Sequence, residues 1–427
     1  MNQQTPIFLV LEPSNHMGRV IKAAKTKGYH VIAFHKGPIS ALPPYGDDFA
    51  LIDQRILVPS WFDLPALLKQ VDDAVGSRKI VGTYAGMEFT LELDARIRQK
   101  AGLPHNAPEL IADLLNKKTV RERLKTAGLT VIKFYGREEV DQWTDWPEGF
   151  KAFFKPVYGG GSSLVEFCDN YAALDNARQM WRNKDDTKNP GPFQAYMKQG
   201  GDEYIVEEEI QGELLSVEGF SLDGKYHLLG ITGRKRLADD LAIEMAGLFP
   251  HDVPFAAELV EKVRQIHQSL GIQYGPTHTE MIIDHKGGAE LVEVNLRFPG
   301  ADILLMMNAC FDTKVENIIL DFACGHKVDL SPVAKVSAYG ALRYILPYVG
   351  MQTVGEFEFG DEVLFSRVKF PTGTEIPQKR TQGRHVAGII VTGKDTADVE
   401  ENMTRAIRQI KVDGKPFIFD INNILEP

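Results

Sequence analysis

The chain has 427 residues, 44% of them hydrophobic and 25% charged, with a formal net charge of −10. That is globular material for two or three domains, and the acidic balance argues against non-specific nucleic-acid binding. The opening MNQQTPIFLVLEPS has no basic segment ahead of its short apolar run, so it does not read as a signal peptide, and no apolar run approaches the roughly 18 residues of a membrane span. Cys168, Cys310 and Cys324 are scattered and form no CxxC, which favours a reducing compartment over a structural zinc site. The expectation is a cytoplasmic protein with no nucleic-acid or membrane partner.

Pro6 to Phe34 reads as strand, loop, helix, strand. The apolar run Ile7–Leu11 suits a buried parallel strand, and Gly28 marks the helix end. Lys79 to Gly86 is another strand entering a loop, so about the first hundred residues form an open α/β sheet. The loop EPSNHMG lacks the three-glycine dinucleotide fingerprint. Asn116 to Leu129 is a helix with an Asn start and a Gly stop. Phe150 to Phe167 reads as strand, Gly/Ser loop, strand. Glu203 to Thr232 reads as one strand meander. Ala256 to Ile272 is an amphipathic helix with Leu259, Val263, Ile266 and Leu270 on one face. Short strands resume near Pro332, and Asp395 to Lys411 is a late amphipathic helix.

Between those helices lies THTEMIIDHKGGAELVEVNLR, Thr277 to Arg297. Two runs of strand composition flank the turn sequence DHKGG. A hairpin centred on Lys286-Gly287 pairs Asp284 with Ala289, Ile282 with Leu291, Glu280 with Glu293 and His278 with Asn295. Alternation then places Glu280, His278, Glu293, Asn295 and Arg297 on one face. Two carboxylates about 5 Å apart repel by about 3 kcal/mol at an effective dielectric near 20. A hard divalent cation offsets that well. A solvated face, with the carboxylates paired to lysines, is the alternative.

YGGGSS, Tyr158 to Ser163, follows the strand AFFKP that carries Lys155. Three glycines let backbone N–H groups approach a polyanion; a flexible hairpin tip is the plainer reading. GxxxxGK[ST] is absent, so this is no P-loop. Lys155 in an apolar strand needs an anion. VEEEI (Val206 to Ile210) and GRKR (Gly233 to Arg236) add carboxylates and cations at strand ends. Glu244, in LAIEMAGLFP, needs a charged or hydrogen-bonding partner: a substrate ammonium, or Arg234 or Arg236 acting as a structural brace.

Lys117, Lys155 with its glycine loop, IVEEEIQG, GPTHTEM and LVEVNLRF, in that order, resemble the ATP-grasp superfamily over roughly residues 80–310. GIQYGPTHTEM, RFPG and the late helix look like the branch of L-amino acid (dipeptide) ligases and carnosine synthase-like enzymes. The resemblance implies an α/β (α+β) ATP-grasp fold with an N-terminal open parallel sheet and a mobile glycine-loop lid. It divides the chain into an N-terminal α/β domain at 1–113, a lid at 114–206, and a C-terminal domain at 207–427. It implies an ATP-dependent carboxylate–amine ligase with Mg²⁺, or Mn²⁺ in its place, as two ions. The partners would be small-molecule carboxylate and amine substrates, with a homodimer as the assembly common to such folds. A carboxylase, a D-alanine-type ligase or a nucleotide-binding module without turnover are the alternatives.

By the same resemblance Lys117 and Lys155 would contact the ATP phosphates, with Gly160 and Ser162 of the loop beside them. Glu207 would accept from the adenine amino group, with the backbone of Glu208 and Ile210 completing the hinge. Arg234 or Arg236 would add charge at the γ-phosphate. Glu280, Glu293 and Asn295 would bind the metal. Arg297 would stabilise the acyl-phosphate, making it and Lys155 the catalytic residues. Glu244, with Glu88, would hold a substrate amino group, and His278 and Ala301 would border the substrate; His278 is either a base or a structural hydrogen-bonder. Two positions depart from the pattern. Glu213-Leu214 stands where relatives carry a ribose-binding Glu one position later, so Glu213 substitutes or the contact is lost. Gly247 stands where a dipeptide ligase has His, so amino-acid specificity does not transfer.

Overall fold

The computed structural model describes residues 5–14, 17–37, 46–162, 164–183, 192–238, 240–300, 302–348, 350–376 and 385–418. Strands β1 (Ile7–Leu11), β2 (His30–His35), β3 (Gln54–Leu57) and β4 (Ile80–Ala85) form a parallel sheet in the order β3-β2-β1-β4. All five residues of β1 are fully buried, as a strand covered on both faces requires.

The helix Lys117–Thr126 follows, its Asn116 side chain accepting from the amides of Lys118 and Thr119. Beyond it β5 (Phe134–Gly136), β6 (Ala152–Pro156), β7 (Glu166–Cys168) and β8 (Tyr204–Glu208) make an antiparallel sheet ordered β5-β8-β6-β7. Helix Tyr171–Arg182 seals it with Leu174, Ala177 and Trp181.

Strands β9 (Glu213–Leu222), β10 (Lys225–Leu237), β11 (Asp240–Phe249), β12 (Gly275–Ile283), β13 (Ala289–Asn295) and β14 (Tyr339–Ile345) belong to the large antiparallel sheet. Phe357–Glu358 is β15, in a small separate sheet, while β16 (Phe365–Val368) and β17 (Ala387–Gly393) complete the large one as β13-β12-β9-β10-β11-β14-β17-β16. Lys411–Val412 (β18) pairs with β15 on one side and with Lys415–Pro416 (β19) on the other. Helices Ala256–Leu270 and Thr396–Gln409 cover one face of the large sheet through two separate apolar clusters. Helices Ile303–Cys310 and Val315–Ala323 fill the space between the other face and the N-terminal domain, sharing a core with Phe8, Val10, Phe220 and Phe249.

Two expectations are corrected. The run Glu203–Thr232 is not one meander: β8 joins the four-stranded sheet, and only β9 and β10 join the large one. Sheet membership changes between Glu208 and Glu213. The hairpin keeps Glu280 opposite Glu293 and His278 opposite Asn295, but Met281 faces Leu291, Ile282 faces Glu290 and Ile283 faces Ala289. In a regular strand Leu291 would share the face of Glu293. A bulge at that point turns Leu291 with Met281 into the core under helix Ala256–Leu270 and leaves the carboxylates opposed.

Candidate active site

Lys117 opens its helix one residue after the cap, where the first-turn amides lack intrahelical partners. Its backbone N–H donates to Val157 O at 2.9 Å. Its Nζ donates to Gly159 O at 2.9 Å and lies 2.8 Å from Glu293 Oε1. One lysine thus ties the glycine loop to the hairpin. Beside it a cleft open to solvent is lined by Arg121, Tyr196, Glu207 and Asn295.

Glu207 is 3% exposed. It accepts from Arg121 Nε at 2.6 Å and Nη2 at 3.2 Å, and from Lys155 Nζ at 2.6 Å. Burial alone would raise its pKa; the two cations outweigh that and hold it at about 2. Lys155 therefore has its anion within the protein. Arg121 escaped the sequence reading. The signal is its place four residues after Lys117, on the same helix face.

The opposed carboxylates of the hairpin each have their own cation. Glu293 has Lys117. Glu280 Oε1 lies 3.3 Å from Arg234 Nη1 and 3.2 Å from His278 Nε2. Burial would raise the Glu280 pKa, but Arg234 and His278 hold it below the usual carboxylate range. His278 Nδ1 meets Glu218 Oε2 at 2.9 Å. Burial would lower the imidazole; Glu218 and Glu280 push it up to about 9. Glu218, fully buried, also accepts from Ser216 Oγ at 2.7 Å and Thr232 Oγ1 at 3.0 Å. The sequence reading missed Glu218, whose partner His278 is 60 positions away.

At the far end of this row Arg234 donates through Nε and Nη2 to both oxygens of Glu244. The brace foreseen as one of two roles for Glu244 is thus formed, while its side chain keeps 18% exposure. Arg297 Nε and Nη2 both donate to Glu88 Oε1, and its Nη1 donates to Phe298 O at 2.9 Å. Burial would lower the Arg297 pKa, yet Glu88, Glu293 and Glu280 raise it.

The structure thus gathers Lys117, Lys155, Glu207, Arg234, Glu244, His278, Glu280, Glu293, Asn295, Arg297 and Glu88 around one region. The remaining candidates make other contacts. Glu208 Oε2 accepts from the Lys133 amide at 2.9 Å, and Ile210 sits in the link between β8 and β9. Glu213 leaves the opposite face of the sheet from Glu280 and meets His251 Nε2 at 2.8 Å. Arg236 is buried opposite Glu244 in register. Gly160 and Ser162 lie in the loop between β6 and β7, where Gly161, Ser162 and Leu164 all have positive φ. Ser163 and Ala301 fall outside the described residues.

The donor set fits a hard cation in part. Among the described residues no three His, Cys, Asp or Glu side chains converge on one point. Two carboxylates, the Asn295 amide, water and phosphate oxygens are, however, the ligands that Mg²⁺ takes.

A model of the ATP-grasp domain matches residues 149–304. The fold is the ATP-grasp fold. The L-amino acid ligase from Bacillus licheniformis superposes with a TM-score of 0.77 at 16% identity, over 96% of this chain and 99% of that one. The biotin carboxylase domain of the Hydrogenobacter thermophilus 2-oxoglutarate carboxylase, solved as a dimer with MgADP and bicarbonate, superposes at 0.68 with 17% identity, over 96% and 91% of the two chains. Alanine–anticapsin ligase from Bacillus amyloliquefaciens is 24% identical over 247 residues, 50% of this chain. That alignment spans 52% of the relative's length. The cleft at Lys117 and Glu207 lies between the four-stranded sheet and the hairpin.

Proposed function

We propose that this protein is an ATP-dependent ligase that joins a carboxylate to an amine, with an amino acid among its substrates. The observation that carries the reading is the Glu280–Glu293 pair with Asn295 beside it, bridged to the glycine loop by Lys117. Such a set suits a nucleotide triphosphate, which brings more negative charge than either lysine neutralises alone. A divalent cation held by Glu280, Glu293 and Asn295 would neutralise phosphate oxygens and orient them.

The reaction follows from the parts. A substrate carboxylate oxygen attacks the γ-phosphorus, the bond to the β,γ-bridging oxygen breaks, and ADP leaves. Lys117 meets the developing charge on the phosphates; Lys155, anchored by Glu207, stands at the nucleotide end. The amine nitrogen then attacks the acyl-phosphate carbon, the C–O bond to the phosphate breaks, phosphate leaves carrying that oxygen, and the nitrogen gives up a proton to solvent to leave the amide. Arg297, held by Glu88, faces the oxyanion of that step. Glu244 and Glu88 give the substrate end two carboxylates suited to an ammonium group, which favours an amino-acid conjugate over a bicarbonate substrate. Turnover assays with ATP, Mg²⁺ and amino-acid mixtures test the reading: ADP release that requires an amino acid supports it, and ADP release that requires bicarbonate instead overturns it.

A further inference from the structure

Tyr196 lies on the short helix Pro192–Met197, which leads toward β8, yet it is 3% exposed because it packs into the N-terminal domain. Its ring stacks on Phe62, with centroids 6.4 Å apart and planes 9° from parallel, and stands 6.2 Å from Phe89. Phe62 lies between β3 and the helix Leu64–Val75, and Phe89 follows Glu88 in the turn after β4. Trp61, whose indole N–H donates to Glu12, backs Phe89 at 6.1 Å. This aromatic nest therefore stands at the C-terminal ends of the parallel strands, the edge at which open α/β sheets bind ligands. Offset and edge-on ring contacts give Tyr196 a defined seat as well as buried area.

The same helix meets the glycine loop. The Tyr158 ring is 5.6 Å from that of Tyr196. Met197 covers Gly159, where an added Cβ would come 3.4 Å from its Cγ. The turn Lys198–Gly200 rests on the start of the loop so closely that a Cβ on Gly200 would fall 2.7 Å from Val157 and 3.0 Å from the Tyr158 ring. Lys117 then joins Gly159 to Glu293. A line of contacts thus runs from Phe62 through Tyr196 and the glycine loop to the hairpin. The ring of Tyr196 carries it. Its hydroxyl makes only a long bond, 3.5 Å to Leu115 O.

We propose that Tyr196 is a positioning residue: stacked in the N-terminal aromatic nest, it seats the glycine loop over the cleft, so that the N-terminal domain sets the affinity of a distant loop for its nucleotide. The claim rests on the nucleotide reading above for its ligand alone. Glycines leave the loop many conformations, and a loop already held in one pose loses less entropy on binding.

Two measurements test it. Hydrogen exchange of the ligand-free chain reads the loop by itself, and calorimetry with adenylyl imidodiphosphate and Mg²⁺ reads nucleotide affinity. Phe62→Ala is the informative variant, since Phe62 belongs to the other domain, is only half-buried and does not line the cleft. Phe62→Ala and Tyr196→Ala should each speed exchange at Tyr158–Gly161 at least tenfold and weaken analogue binding at least fivefold, in protein shown by circular dichroism to be folded. Tyr196→Phe keeps the ring and should match the wild type in both. The double alanine variant should be no worse than Tyr196→Ala, because the two rings act through one contact. Unchanged exchange in folded Phe62→Ala, a Tyr196→Phe variant as fast as Tyr196→Ala, or unchanged analogue affinity despite faster exchange would overturn the proposal. A wild-type chain that binds no analogue, with exchange responding as stated, would overturn the nucleotide reading and support the seat.

Discussion

Lys117 Nζ stands 2.8 Å from Glu293 Oε1 and donates to the carbonyl of Gly159, so one side chain spans the glycine loop and the hairpin. In the proposed reaction the phosphates arrive where this lysine already sits. Lys117→Met should weaken ATP binding at least tenfold, since a charge-assisted contact contributes roughly 1.5–3 kcal/mol. Calorimetry measures it. Hydrogen exchange at Gly159–Gly161 should be slowed by ATP and Mg²⁺ in the wild type and much less so in the variant; identical protection in both would remove Lys117 from this role.

Glu293→Ala should lower turnover at least a hundredfold while changing ATP affinity less. The carboxylate opposes Glu280 and belongs to the proposed cation site, where losing one ligand costs several kcal/mol of charge stabilisation. Single-turnover kinetics within tenfold of wild type would refute the metal assignment.

The buried Arg121–Glu207 pair, with the half-buried Lys155, makes a pH-dependent contribution to stability. Glu207 is held at about 2 against an ordinary 4.5, so its contribution is complete above pH 4.5 and is lost as pH falls toward 2. The shift corresponds to about 3 kcal/mol. Urea denaturation between pH 7 and 2.5 should show this acid limb in the wild type and a flatter one in Glu207→Gln. Arg121→Met should cost about 3–5 kcal/mol at pH 7, because it leaves a buried carboxylate short of its main partner.

Glu244→Gln separates the two roles of that carboxylate. If it receives the substrate ammonium, KM for the amino acid rises about ten- to a hundredfold and KM for ATP stays nearly constant. A parallel rise of both, or of neither, would leave Glu244 as the brace of Arg234 alone.

The local elements and the opposed carboxylates were legible because alternation and turn chemistry act over short range. Asn116 as a cap, the Leu259–Leu270 stripe and the pairing of Glu280 with Glu293 all follow from neighbours in sequence. What escaped is set at long range. The bulge exists because Leu291 must join a core built by a helix some thirty residues earlier. Arg121 reads as a solvated helix residue until β8 brings Glu207 against it. Glu218 reads as a strand interruption until His278 arrives from β12. Glu213 follows the hinge glycine in sequence, yet the pleat turns it to the reverse face.

The central claim is amide formation driven by ATP, and mass spectrometry of the product with parallel ADP measurement tests it most directly. The protein is incubated with ATP, Mg²⁺ and a panel of amino acids. The account predicts one ADP and one phosphate for each molecule of a product whose mass is the sum of two substrates less one water. ADP release indifferent to every amino acid, or absent under all combinations, would contradict it.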